Sequence, residues 1–241
     1  YKSILLKLSV EMLAGEHKFG INPQFNHKLC RKIKEIFDLG VEIGIVIGGG
    51  NIFRGISASA KGMDRVAGDY LGMMATIMNS VALQSELEKM NCDTRVMSAL
   101  SITQLAEPYI RRRASRHLEK GRIVIMAGGT GNPYFSTDTA AALRAIEINA
   151  DVIIKGTKVD GVYTADPEVD PDAIKYDSIS FKEVIDKELM VMDLTSVTLC
   201  KENKLPIIVF DIKSKNGLLD IINSVPTGTT VSLKGELVND K

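Results

Sequence analysis

Two glycine-rich stretches of the chain have the composition of phosphate-binding loops. Gly48-Gly49-Gly50-Asn51 follows an apolar run that ends at Ile47, and Gly128-Gly129-Thr130-Gly131 follows a run that ends at Met126 and Ala127. Consecutive glycines leave backbone N–H groups uncovered by side chains, which suits a concavity that cradles an anion. Arg54 follows the first loop and can pair with a phosphate through its planar guanidinium. Together the two loops favour phosphate or nucleotide contact over plain tight turns.

Two lysines stand directly after short apolar runs. Lys7 follows Ile4-Leu5-Leu6, and Lys155 follows Val152-Ile153-Ile154. A lysine is costly to bury without a partner, so either one alone would be expected to reach the surface. As a pair they predict two ammonium groups that flank a transferring phosphoryl group, whose transition state spreads negative charge over three oxygens. Asp138 is the carboxylate expected between them.

Other catalytic signatures are missing from the sequence. Neither glycine loop continues to the third glycine of a dinucleotide fingerprint, and there is no Walker-type phosphate loop. The three histidines, His17, His27 and His117, have neither triad nor metal-ligand spacing. The sequence therefore argues against a standard dinucleotide site, a histidine triad and a histidine-based metal centre.

The candidate residues belong to a repeated pattern of an apolar strand, a polar or glycine-rich loop and a helix. The predicted strands cover residues 3–7, 41–47, 122–126, 151–154 and 206–210, with a further strand at 229–233. Capping residues and apolar periodicity predict helices from Asn22-Pro23 to Gly40, from Ser136 or Thr137 to Asn149, from Ser180 onward, and from Asp193 to near Lys204. This alternation indicates an α/β fold with helices on both faces of the sheet, and such sheets bind ligands beyond the carboxyl ends of their strands.

Composition and charge exclude several classes of protein. Lys+Arg and Asp+Glu are 30 each among 241 residues, so the chain lacks the bulk basic charge of a nucleic-acid binder, and 45% hydrophobic residues argue against disorder. Its apolar runs are about seven residues long, whereas a membrane span needs about 20. Cys30, Cys92 and Cys200 are too few for a disulfide scaffold. We therefore expect a cytoplasmic protein with no nucleic-acid or membrane partner.

Six segments in order along residues 1 to about 215 carry a resemblance to a known family. They are Lys7-Leu8-Ser9 with Glu11, Gly48–Gly55, Asp64–Thr76, Ala127–Asp138, Lys155–Tyr163 with Asp166-Pro167, and Met192–Thr195. The chain resembles the bacterial UMP kinases, a branch of the amino acid kinase superfamily. The resemblance implies a three-layer α/β/α sandwich with a mainly parallel central sheet. It further implies one domain over residues 1–241, with an acceptor (UMP) lobe at about 1–150 and an ATP lobe at about 151–241.

The same resemblance implies the reaction ATP + UMP giving ADP + UDP in pyrimidine nucleotide biosynthesis, with Mg²⁺ accompanying ATP. Lys7 and Lys155 would flank the phosphoryl group, and Asp138 would orient them. UMP would contact Gly49, Asp69, Thr130, Gly131, Asn132, Pro133, Tyr134, Phe135, Ser136 and Thr137. ATP would contact Lys7, Leu8, Ser9, Val10, Gly50, Arg54, Thr157, Tyr163 and Asp166, the last two within an irregular stretch at 163–178, with Asp193 near the ATP site.

The resemblance also implies a homohexamer that is inhibited by UTP and often activated by GTP. Arg95 and Arg122 are candidate effector residues. The basic run Arg111-Arg112-Arg113 with Arg116 and Lys120 is either a solvated helix face or part of such a contact.

One position departs from the family pattern. The family usually reads Lys-Leu-Ser-Gly-Glu at its first loop, whereas this chain has Val10 at the glycine position. Glycine lets the backbone approach ATP phosphates, while valine adds bulk and resists positive φ. A local shift of the loop, reduced activity, or a natural or engineered variant would each explain it. Two other functions stay open: a related enzyme with an amino-acid or carbamate acceptor, and a weakened nucleotide-binding protein on the same scaffold.

Overall fold

The computed structural model describes residues 1–9, 19–54, 62–167 and 169–236, so Val10 and Glu11 lie outside the described residues. The strands are β1 (Ser3–Leu8), β2 (Glu42–Ile47), β3 (Thr94–Ser98), β4 (Glu107–Pro108), β5 (Ile123–Ala127), β6 (Val152–Thr157), β7 (Val162–Tyr163), β8 (Lys175–Tyr176), β9 (Ser178–Ser180), β10 (Ile207–Asp211) and β11 (Thr229–Ser232). The helices are α1 (Pro23–Phe37), α2 (Arg65–Lys89), α3 (Arg111–Glu119), α4 (Thr137–Glu147), α5 (Phe181–Asp186), α6 (Leu194–Glu202) and α7 (Gly217–Ile222).

Nine strands form one central sheet in the order β4-β3-β5-β2-β1-β6-β10-β11-β9. Neighbouring strands are parallel except β10 and β11, which run antiparallel. Helices cover both faces of the sheet, so the predicted α/β architecture with a mainly parallel sheet is confirmed. The loops after β1, β2, β5 and β6 all leave the same edge of the sheet, because these four strands are parallel neighbours.

The predicted helix ends follow from capping side chains. Asn22 accepts hydrogen bonds from the backbone N–H groups of Gln24 and Phe25 at the start of α1, and Gly40 follows its end with a φ of +80°. Ser136 caps α4, and Asp193 caps α6 by accepting from Ser196 N–H. Within the described parts of the chain, no helix combines the length and the apolar character that crossing a membrane requires.

Three short strands of the sheet are absent from the sequence prediction. β3 begins with Thr94 and Arg95, and β4 and β9 have only two and three residues, so none presents a clear apolar run. The stretch at 163–178, predicted to be irregular, contains a small antiparallel hairpin in which β7 pairs with β8.

The alternation of side chains along β1 separates the two halves of the core. Ile4, Leu6 and Leu8 belong to the cluster under α1, α2 and α7, whereas Leu5 belongs to the cluster under α3, α4, α5 and α6. Because side chains alternate with a period of two, Lys7 lies on the same face as Leu5, the face that α4 covers. The same alternation on β6 places Lys155 on the face of Ile153.

Candidate active site

A buried cluster of two lysines and one carboxylate lies at the centre of the sheet edge. Lys7 on β1 and Lys155 on β6 are paired in register on adjacent strands. Lys7 Nζ lies 2.7 Å from Asp138 Oδ1, and Lys155 Nζ donates to Asp138 Oδ2 at 3.1 Å. Asp138 comes from the first turn of α4, which packs across this end of the sheet. Lys155 Nζ also donates to the carbonyl of Val191.

The charges of this cluster control one another. Burial would raise the pKa of Asp138, but the adjacent ammonium groups of Lys7 and Lys155 outweigh burial and hold that pKa below its usual value. Burial lowers the pKa of Lys155, and the charge of Lys7 lowers it further, while Asp138 acts in the opposite direction. When both lysines are protonated, two ammonium groups face one carboxylate and the cluster is net positive. Lys7 is only 8% exposed, so this charge is buried. Such a site attracts and stabilises anionic oxygens.

The first glycine loop, Gly48–Asn51, packs directly against α2. A Cβ at Gly49 would lie 2.6 Å from the carbonyl oxygen of Gly72 and 2.8 Å from Ala75 Cβ, so only glycine fits there without a shift. The carbonyl of Gly49 accepts from the N–H groups of Ile52 and Phe53. Arg54 Nε donates to the carbonyl of Gly50 at 3.2 Å, which keeps this guanidinium beside the loop.

The second glycine loop, Gly128–Gly131, has a left-handed backbone. Gly128, Gly129 and Gly131 have φ values of +76°, +58° and +83°, a region that side chains other than glycine rarely adopt. Gly128 N–H donates to Thr76 Oγ1 of α2 at 2.8 Å. The loop leads to Ser136 at the N-terminus of α4, where backbone N–H groups and the helix dipole favour an anion.

A large cavity of about 690 Å³ lies between α2 and the second glycine loop. Most of the residues that resemblance implies for UMP line it: Gly49, Asp69, Thr130, Asn132, Tyr134, Phe135, Ser136 and Thr137. The other two, Gly131 and Pro133, are not among the residues that line this cavity. A Cβ at Gly131 would lie 3.2 Å from Ala99 Cβ, and Pro133 is half-buried. The UMP roles themselves stay predictions.

Asp69 lies on the wall of the large cavity with both carboxylate oxygens engaged. Arg65 Nε, one turn earlier on α2, lies 2.9 Å from each oxygen. Tyr134 N–H donates to Asp69 Oδ2 at 2.7 Å, and the Arg65 guanidinium stacks over the Tyr134 ring at 5.6 Å. A carboxylate has about four lone-pair positions, so Asp69 keeps capacity to accept a hydroxyl from a ligand.

Two further cavities continue from the large one past the lysine cluster. The central cavity, about 410 Å³, is lined by Lys7, Leu8, Ser9, Gly50, Lys155 and Thr157, among others. The outer cavity, about 430 Å³, is lined by Lys155, Thr157, Tyr163 and Asp166, among others. Gly49, Gly50, Arg54 and Thr137 border both the large and the central cavity, so these four mark the place where the two meet.

Asp193 lies at the N-terminus of α6, and its expected place near the ATP site stays a prediction. It lines the large cavity, where its carboxylate accepts from the hydroxyl groups of Ser136 and Thr139. Because Asp193 also caps α6, it joins the N-terminus of that helix to the N-terminus of α4. Its negative charge acts on Lys155 and opposes the lowering of the lysine pKa.

Arg95 and Arg122 lie away from the three cavities, near the amino ends of β3 and β5. Arg95 Nε is 3.9 Å from Glu107 Oε1, and Glu107 Oε2 is 3.2 Å from His117 Nε2. Arg122 Nη1 lies 3.1 Å from His117 Nδ1. The structure thus brings the two arginines into one polar cluster, and their effector role stays a prediction.

Sequence reasoning missed four side chains that shape the site: Arg65, Thr76, Asn79 and Arg144. Arg144 is buried, stacks on the ring of Tyr109 at 3.9 Å and donates to the carbonyl of Gly129. The i,i+4 spacing of Arg65 and Asp69 could have been detected on a predicted helix. The contacts of Thr76, Asn79 and Arg144 reach loops distant in sequence, so no local pattern indicates them.

The chain is similar in sequence and structure to proteins of one family. The model of the amino acid kinase family matches residues 3–211. The UMP kinase of Bacillus anthracis superposes with a TM-score of 0.95 at 38% identity, with 99% of each chain covered. The UMP kinase of Ureaplasma parvum gives 0.90 at 36% identity, covering 96% of this chain and 98% of that one. The uridylate kinase of Archaeoglobus fulgidus gives 0.74 at 26% identity, covering 95% and 99%.

Proposed function

Since the chain belongs to the amino acid kinase family and is a phosphotransferase, we propose that it transfers the γ-phosphoryl group of ATP to UMP, giving ADP and UDP for pyrimidine nucleotide biosynthesis. The observation that carries this proposal is the Lys7–Asp138–Lys155 cluster beside the meeting place of two cavities. A net positive cluster at that place suits a group that passes from a donor on one side to an acceptor on the other.

UMP occupies the large cavity in this proposal. Asp69 accepts a ribose hydroxyl, and Asn132 and Thr137 supply hydrogen-bond partners for the base and the phosphate. The phosphate of UMP lies against Gly49 and the N-terminus of α4, where N–H groups and the helix dipole favour negative charge. The volume of about 690 Å³ falls within the range of small-molecule sites.

ATP occupies the outer and central cavities. Thr157, Tyr163 and Asp166 contact the nucleoside, and the triphosphate runs past Leu8 and Ser9 toward Lys7. The lining of the central cavity comes from both halves of the chain, so the acceptor lobe proposed at about 1–150 and the ATP lobe proposed at about 151–241 both contribute to it. The position of Val10, immediately after Ser9, makes it a neighbour of the triphosphate in this proposal.

The transfer is a direct in-line displacement. An oxygen of the UMP phosphate attacks the γ-phosphorus, forming a P–O bond, while the bond from that phosphorus to the bridging oxygen of ADP breaks. A phosphate monoester has a second pKa near 6, so the nucleophile is already an anion at neutral pH and needs no general base. Lys7 and Lys155 stabilise the charge on the equatorial oxygens, Asp138 keeps both ammonium groups oriented, and Arg54 neutralises phosphates at the junction.

Magnesium enters the proposal as part of the substrate, the Mg–ATP complex. The described residues contain no group of three or more His, Cys, Asp or Glu side chains arranged for a metal ion. Asp138 is held by two lysines, and Asp193 is held by Ser136, Thr139 and Ser196. In this proposal, phosphate oxygens and water supply most of the metal ligands, as is common for Mg²⁺.

We extend the proposal to assembly, regulation and location. Tyr70, Met74 and Met78 form an exposed apolar stripe at i,i+4,i+8 on α2, which suits a contact between subunits of a homohexamer. GTP acts as an activator through Arg95 and Arg122, and UTP acts as an inhibitor. The cysteines are free and buried, which fits a reducing cytoplasm.

The proposal is tested by measuring ADP production from Mg–ATP with UMP, CMP, AMP, carbamate, glutamate and aspartate offered separately. Turnover with UMP well above every other acceptor is the expected result. Preferred turnover with an amino acid or carbamate would replace UMP by that acceptor within the same family. ATP and UMP binding without turnover would identify a weakened nucleotide-binding protein.

A further inference from the structure

Two asparagine side chains form a reciprocal amide pair behind the first glycine loop. Asn79 Nδ2 donates to Asn51 Oδ1 at 2.7 Å, and Asn51 Nδ2 donates to Asn79 Oδ1 at 3.1 Å. Asn79 is 0% exposed and Asn51 is 4% exposed. Buried amides are kept only where their hydrogen bonds are satisfied, so this pair is a specific contact rather than an incidental one.

Each amide also holds a backbone carbonyl with its second N–H. Asn79 Nδ2 donates to Gly48 O at 2.8 Å, and Asn51 Nδ2 donates to Gly20 O at 2.9 Å. Gly20 N–H in turn donates to the carbonyl of Asn51 at 2.9 Å. The pair therefore ties α2, the glycine loop and the segment that precedes α1 to one another.

The same face of α2 also fixes the second glycine loop. Thr76, one turn before Asn79, accepts from Gly128 N–H and donates to the carbonyl of Met73. Gly49 lies so close to Gly72 and Ala75 that its distance from the helix is fixed. Both glycine loops are thus attached to positions three residues apart on a single rigid helix.

We propose that Asn79 is a positioning residue for phosphoryl transfer: it places the Gly48–Gly50 backbone, and through it the phosphates, in line with Lys7 and Lys155. This inference rests on the proposed function and adds to it a residue that touches neither substrate. The hydrogen bond to Gly48 O sets where the loop lies along α2, and Asn51 transmits that position to the end of the loop. A displacement of about 1 Å at reacting groups can cost 10²-fold in rate.

The test compares Asn79→Ala with the matched variant Ser80→Ala. Ser80 is equally buried on the next position of α2, and its hydroxyl donates only within the helix, to Thr76 O at 2.7 Å. Both variants lose buried hydrogen bonds and are assayed well below their melting temperatures. Asn79→Ala is expected to lower kcat by about 10- to 100-fold with the KM for UMP nearly unchanged, whereas Ser80→Ala keeps the kcat of the wild type. Equal kcat in Asn79→Ala and the wild type, or an equal fall in both variants, would overturn the inference.

Hydrogen exchange separates this inference from the proposed function. Peptides that cover residues 46–54 are expected to exchange faster in Asn79→Ala and to remain as in the wild type in Ser80→Ala. This readout needs no turnover. If the wild type transfers no phosphoryl group to UMP, the proposed function fails, and unchanged exchange at 46–54 in Asn79→Ala would separately refute the placement of the loop by Asn79.

Discussion

Replacement of Lys7 by methionine removes one of the two cations proposed to stabilise the transferring phosphoryl group. Methionine keeps the unbranched shape of the side chain at a position that is buried between β2 and β6. With Lys155 and Asp138 both charged, the substitution leaves the Lys7–Asp138–Lys155 cluster neutral rather than net positive. A unit charge about 4 Å from a phosphoryl oxygen contributes about 4 kcal/mol at an effective dielectric constant of about 20. Since about 1.4 kcal/mol corresponds to tenfold in rate, kcat should fall by about 10³-fold.

The assay is the initial rate of ADP formation at saturating Mg–ATP and UMP, together with UMP binding by calorimetry. UMP affinity should change little, because Lys7 lines the central cavity rather than the large one. Lys2→Met is the matched control, since Lys2 is an exposed lysine immediately before the same strand. A Lys7→Met enzyme within tenfold of the wild type would remove Lys7 from the transition state.

Three further predictions concern charge, packing and the first loop. The kcat/KM for ATP requires a charged Lys155, whose pKa is lowered, so the midpoint of its alkaline fall should lie below pH 10.5. Asp138→Asn should move this midpoint to still lower pH, because the carboxylate favours the charged lysine. A shift to higher pH would contradict the assigned charges. Gly49→Ala should destabilise the protein by about 1–3 kcal/mol in chemical denaturation, because its Cβ meets Gly72 O at 2.6 Å. Gly72→Ala, which has open space, should instead gain about 0.5–1 kcal/mol, and equal losses would refute the packing argument. Val10→Gly should raise kcat/KM, whereas identical kinetics would mean that the loop tolerates valine.

Local sequence patterns predicted the parts of the fold that depend on local chemistry. Asn22 and Ser136 start helices because their side chains accept from the first backbone N–H groups, a preference that is independent of the rest of the chain. The central strands are visible because both faces are buried and the runs are apolar. β4, with two residues, forms because β3 offers it a partner, and no local signal precedes such pairing.

The candidate site likewise contains residues that the sequence could place and residues that it could not. Lys7 and Lys155 could be placed together because parallel strands end at one edge, whereas their exact pairing in register is seen only in the structure. Asn79 could not, since an asparagine in a long helix is unremarkable until a distant carbonyl is brought to it. The contact of Asp193 with Ser136 could not be predicted either, since it depends on the packing of α6 against α4.

A crystal structure with a bisubstrate analogue, uridine and adenosine joined by a pentaphosphate, would show the path of the transferring phosphoryl group. We expect the uridine in the large cavity beside Asp69, the adenosine in the outer cavity beside Tyr163, and the phosphate chain against Lys7 and Lys155 in the central cavity. A phosphate chain that bypasses both lysines, or nucleosides in the opposite cavities, would contradict the proposed mechanism.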